Sequence, residues 1–104
     1  MNISKEQAKN IWNKYFNNEN QAQPDFAGRN MHFHLYNDNT SKYGWTVDCL
    51  VKEEESTFIP VNILTLNERS GDYTFWANKK LFQVKIKKEN KNINYEIICV
   101  IDED

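Results

Sequence analysis

Apolar residues first recur at Ala8, Ile11, Trp12, Tyr15 and Phe16, a spacing that lays one stripe along a helix. Ser4-Lys5-Glu6-Gln7 stands ahead of them as a capping box, with Ser4 accepting from the Gln7 amide. A helix is therefore predicted from Lys5 to Asn17. Asn17 to Pro24 carries side chains that compete for backbone hydrogen bonds, and Pro24 disfavours helix at Gln23, so this segment reads as a polar loop. Met31, Phe33 and Leu35 then alternate with His32, His34 and Tyr36, the period of a half-buried strand. With the polar turn Asn37 to Lys42 and the run Tyr43 to Val51, they predict a β-hairpin. Alternation in the second run puts Trp45 and Val47 on the face opposite Thr46 and Asp48, so both are expected in the core.

Glu53 to Thr57 breaks the apolar pattern, and Pro60 argues against a central strand. The next element is expected near Val61, where Val61, Leu64 and Leu66 suit helix or strand equally. Beyond Gly71 the runs Thr74 to Ala77, Leu81 to Ile86 and Ile93 to Ile101 are β-branched or aromatic, and Asn78 to Lys80 and Glu89 to Asn92 separate them. They predict an antiparallel meander. The fold class is α+β: an N-terminal helix, held by Ile11, Trp12, Tyr15 and Phe16, on a sheet that includes Tyr43 to Val51 and the meander.

Composition narrows the picture. At 104 residues the chain is expected to form a single domain over positions 1–104, and six Phe, five Tyr and three Trp are enough to fill one core. No apolar run approaches the ~20 residues needed to cross a bilayer, and Met1 to Lys9 has no apolar signal core. A cytoplasmic protein with no membrane association is expected. Lys and Arg number 13 against 15 Asp and Glu, a net charge of −2 that offers no global field to draw in nucleic acid. Cys49 and Cys99 are too few for a disulfide framework and read as reduced thiols.

Four segments carry candidate chemistry in order: Asp25-Phe26-Ala27-Gly28-Arg29, Lys42-Tyr43-Gly44-Trp45-Thr46-Val47-Asp48, Asn62-Ile63-Leu64, and Thr74-Phe75-Trp76-Ala77-Asn78 followed by Phe82-Gln83-Val84-Lys85. Together they resemble a bacterial and phage family of small HNH endonucleases, over Pro24 to Lys87. In that family the stretch after Tyr-Gly-Trp resembles Trp-x-Ile-Asp-His, followed by a Pro, a Gly-Gly turn, an Asn and a helix with a last His or Asn. The resemblance implies a ββα-metal unit in which the His is the general base, the Asp and the last His or Asn hold a divalent cation, and the middle Asn fixes the loop. Asp48 matches the metal-binding Asp and Asn62 the middle Asn, but Cys49 stands at the base.

A thiol with a reference pKa of ~8.5 beside a carboxylate is a poor base at neutral pH. Ser56 and Thr57 replace the Gly-Gly pair, and the segment from Asn67 to Phe75 is shorter than the family pattern, which removes the last ligand. The expectation is a degenerate HNH-like domain without catalysis, cofactor or metal. Asp48, Cys49 and Asn62 are then vestigial positions: Asp48 and Asn62 serve as turn and loop hydrogen-bonders, Cys49 as a small buried apolar residue. His32 and His34 share a strand face at i, i+2, a spacing that can bind a transition metal, but no third ligand is apparent and a polar strand face accounts for them.

Glu53-Glu54-Glu55 falls where a DNA-cutting relative would approach phosphates, and three carboxylates there repel them. The loop is either a solvated acidic turn or a contact for a basic protein surface, with Phe58 and Ile59 as the nearest apolar anchors. Lys79, Lys80, Lys85, Lys87, Lys88 and Lys91 protect strand edges or retain weak nucleic-acid contact. The functional expectation is an inhibitor of a bacterial nucleic-acid-targeting defence system, of anti-CRISPR or anti-restriction type, whose partner is a host defence protein or nuclease complex. The alternatives are a residual metal-dependent nuclease using Asp48 with His32 or His34, and an immunity protein that binds a toxin nuclease.

Overall fold

The computed structural model describes residues 3–103, so the first two residues of the Met1 to Lys9 segment lie outside it. Helix α1 spans Lys5–Tyr15 and starts at the expected capping box: Ser4 Oγ accepts from Gln7 N at 3.1 Å, and Ser4 N donates to Gln7 Oε1 at 2.8 Å. It ends two residues earlier than expected, because Asn17 and Asn18 take the left-handed conformation (φ 52° and 64°) that closes a helix. Ala8 and Trp12 are fully buried against Met31, Trp45 and Val47, with Ile11 and Phe16 half-buried beside them. Tyr15, expected in that stripe, is instead 42% exposed. The buried stripe is narrower than the apolar one.

A short antiparallel pair follows, β1 (Gln23–Pro24) with β2 (Asn30–Met31), where a loop and the start of a longer strand were expected. Asp25 builds its turn, since Oδ1 accepts from Ala27 N at 2.9 Å and from Arg29 N at 3.0 Å while Gly28 supplies φ +86°. The strand pattern Met31 to Tyr36 does not become a strand. Leu35 N bonds His32 O, Asn37 has φ 60°, and Asp38 Oδ1 accepts from Thr40 N, so local turns replace the ladder. Of the expected hairpin there remain the parallel bridge of Tyr36 to Trp45 and the bond from His32 N to Tyr43 O at 3.0 Å.

The partner of β3 (Trp45–Cys49) is instead β4 (Phe58–Asn62), antiparallel with Val47 opposite Pro60 and Cys49 opposite Phe58. Pro60 is compatible with β4 because that sheet has only two strands, and a residue without an N–H is tolerated on an edge. Helix α2 (Ile63–Glu68) begins at once, with Asn62 Oδ1 accepting from Leu64 N at 2.9 Å as the N-cap. Val61 is thus in a strand while Leu64 and Leu66 are helical.

β5 (Thr74–Ala77), β6 (Lys80–Glu89) and β7 (Asn92–Asp102) form the expected meander. Asn78 and Lys79, both at positive φ, make the two-residue turn between β5 and β6. Val84 is buried and Ile86 half-buried, while Lys85 and Lys87 face outward as alternation requires. The meander does not join the sheet of β3; it packs against it through Phe26, Tyr95 and Ile97, which border both apolar clusters. The fold is α+β, and among the described residues no helix is long and apolar enough to cross a membrane.

Candidate functional site

The β3–β4 hairpin and the end of α2 enclose a cleft of about 620 Å³ lined by Asp48, Cys49, Glu53, Glu55, Phe58 and Arg69, among others. Asp48 projects from β3 on the face opposite Trp45 and Val47, yet it is buried like them. The cover on its face is Arg69, the C-terminal cap of α2, whose Nη1 bonds Asp48 Oδ2. The two side chains are 9% (Arg69) and 11% (Asp48) exposed, and the Arg69 guanidinium lies 4.9 Å from the Phe75 ring centroid. One carboxylate is thereby matched to one guanidinium inside a largely desolvated space, where the two charges attract far more strongly than in water.

Cys49 is half-buried and not an inert apolar filler, since its Sγ lies 2.8 Å from Val51 O. Thr57, fully buried, organises the loop between the strands. Its hydroxyl accepts from Val51 N at 3.0 Å and donates to Glu54 O at 2.7 Å. The loop thus holds Glu53 at φ 69° and presents Glu53 and Glu55 at the cleft, while Glu54 contributes its carbonyl to the inside of the turn. Phe58 is half-buried at the cleft wall. Ile59, proposed beside it as a contact, cannot touch a partner, because it is fully buried in the core cluster with Leu50 and Val61.

Asn62 is 1% exposed and lies outside the cleft. Its Nδ2 donates to Asn30 O at 2.9 Å and Lys42 O at 2.8 Å, and its N–H donates to Asp25 Oδ2 at 3.0 Å. It ties β2, the loop before β3 and the start of α2 together. A second ion pair, Arg29 to Glu68, joins the β1–β2 turn to α2; the Arg29 hydrogen bond holds the Glu68 carboxyl below the usual carboxylate range.

His32 stacks on Tyr43 with ring centroids 4.2 Å apart and planes 9° from parallel, and His34 lies 6.0 Å from His32. Neither lines the Asp48 cleft. Among the described residues no three His, Cys, Asp or Glu gather in a metal-holding group, so Asp48, His32 and His34 are not brought together. Sequence reasoning missed Arg69, Leu66 and Asp72 as cleft residues. All three follow Asn62, beyond the acidic loop, and only the packing of α2 and the chain after it brings them back to β3. Compared with protein-family models, with curated proteins and with solved structures, the chain matches none.

Proposed function

We propose that this chain is a degenerate, nuclease-dead HNH-like protein that works by binding another protein, as an inhibitor of a bacterial nucleic-acid-targeting defence system of anti-CRISPR or anti-restriction type. Two strands running directly into a short helix, with Asp48 on the first strand and Asn62 at the junction, support the ancestry. The observation that carries the loss of catalysis is the Asp48–Arg69 pair. A carboxylate engaged by a buried guanidinium is not free to donate to a hard dication, and a cation beside the site opposes the arrival of another. At the base position stands the Cys49 thiol, whose Sγ lies against the Val51 carbonyl oxygen in the turn.

What the site offers in place of chemistry is a recognition surface: a concave wall with an aromatic side chain and carboxylates at its rim. Carboxylates there accelerate encounter with the basic groove of a nucleic-acid-targeting protein. The test pairs two measurements. Expression of the chain in bacteria carrying a CRISPR or restriction system is expected to restore phage plating, and charge reversal of Glu53, Glu54 and Glu55 to Lys is expected to remove that protection while the circular dichroism spectrum stays the same. DNA cleavage by the purified protein in magnesium or manganese buffer, abolished by Asp48→Ala, would establish the residual nuclease instead.

A further inference from the structure

The cleft does not end at the acidic loop. Glu55 and Phe58 also line a second cavity of about 340 Å³, walled by Ile11, Lys14, Tyr15 and Tyr95. The two spaces share Glu55 and Phe58 as walls and so adjoin along one stretch of surface, a groove with one end at the chain after α2 and the other at helix α1. Its halves differ in chemistry. At the cleft end Glu53, Glu55 and Asp72 are exposed against a single exposed cation, Lys52, because Asp48 and Arg69 already neutralise each other. At the helix end the walls are two tyrosine rings and Ile11, with the exposed Lys14 at the edge.

Ligand classes fit this groove unequally. A nucleic acid would bring phosphates to three exposed carboxylates and be repelled. A lone metal ion would find no three convergent ligands among the described residues. A basic peptide suits both ends of the chemistry: its cation meets the carboxylates and the Phe58 face, and its backbone carries acceptors. That second feature has its own counterpart. The Arg69 side chain lines the cleft at 9% exposure, and its buried Nε–H has no acceptor among the described residues.

We propose that the groove binds an extended basic segment of the partner protein, with an Arg or Lys side chain against Phe58 between Glu53, Glu55 and Asp72, and an apolar or aromatic side chain seated between Tyr15 and Tyr95. The assignment rests on the protein-binding function proposed above and names what that surface recognises. The segment's charge sets the rate of capture and the tyrosine cavity supplies the apolar anchor that charge alone lacks.

The probe is a fluorescein-labelled, end-blocked peptide of alternating Gly and Arg ending in Phe, compared with the same peptide carrying Glu for Arg and with single-stranded oligothymidylate. Fluorescence polarisation is expected to show binding of the Arg peptide only, weakened about tenfold between about 50 mM and 500 mM salt by screening. Glu55→Lys, at an exposed position, is expected to weaken it by about tenfold or more, and omission of the terminal Phe to weaken it further. Amide chemical-shift changes caused by the peptide should cluster at Glu53, Glu55, Phe58 and Tyr95. Equal binding of the Glu peptide, preference for oligothymidylate, no binding at millimolar peptide, or shifts confined to other surfaces would each overturn the groove assignment. If phage protection persists in Glu55→Lys, the groove is wrong and the inhibitor function stands. If the peptide binds as described and protection is absent, the groove stands and the inhibitor function fails.

Discussion

Arg69 decides the character of the site at the scale of single residues. Strand alternation alone puts Asp48 on an outward face, where a carboxylate would be solvated; Arg69 and Phe75 turn that face into an interior. Removing one member of such a pair leaves a buried charge without its counterion, which costs about 3 kcal/mol, while exchanging both for apolar residues of like volume is close to neutral. Arg69→Ala is therefore expected to lower unfolding stability by about 3 kcal/mol in urea denaturation, and the double variant Asp48→Leu/Arg69→Met to recover most of that loss. Equal losses in the single and double variants would mean that packing on Phe75, and not the charge pair, holds Arg69 in place. The sequence alone made Asp48 and Asn62 legible as hydrogen-bonding residues. It left Arg69 unassigned, because the two sites of an ion pair 21 positions apart acquire a common meaning only when the chain folds back.

At the scale of elements, the ends were more legible than the middle. The capping box and the 3.6-residue spacing marked α1, and alternating β-branched and aromatic residues marked β5 to β7, since in both the signal is local. Between them, the strand-like alternation of Met31 to Tyr36 gives way to turn bonds from Leu35 N to His32 O and from Asp38 N to Leu35 O, and β3 finds its partner in a segment that contains Pro60. Gly44 is where this rearranged middle is tightest. A Cβ there would lie 1.8 Å from the Asp38 carbonyl oxygen, a backbone atom that cannot swing away, so Gly44→Ala is expected to cost about 3 kcal/mol or to prevent folding. At Gly28 nothing lies within 4 Å of the same added atom, and only its φ of +86° resists a side chain, so Gly28→Ala is expected to cost about 1 kcal/mol. Thermal melts of the two variants compare steric clash with backbone strain directly. A Gly44→Ala protein as stable as Gly28→Ala would show that the Asp38 turn moves freely.

At the scale of the whole molecule, α1, the β3–β4 hairpin and the meander meet around Phe26, Phe58 and Tyr95, and the packing there reaches a titratable group. Burial pushes the Tyr95 hydroxyl up to about 12 from its ordinary 10.0, and the neighbouring Tyr15 adds to the shift. A group that holds its proton more tightly when folded adds stability that is complete below its unfolded pKa and is lost as the pH rises toward the folded one. Stability is accordingly expected to fall as the pH climbs from 10 to 12, and Tyr95→Phe to flatten that decline. Urea midpoints measured across the range check it, and an unchanged slope in the variant would place the alkaline transition elsewhere. By itself the sequence determined the α+β class, the capped helix, the meander and the burial of Trp12, Trp45 and Val47, because each follows from periodicities that neighbouring residues set among themselves. Only the tertiary structure decided that β3 pairs with β4 and that this pair stays separate from the sheet of the meander. It also joined Asp48 to Arg69 and brought the acidic loop and Phe58 beside Tyr15 of α1 and Tyr95 of β7, since residues far apart in the chain become one surface only through the packing of the core beneath them.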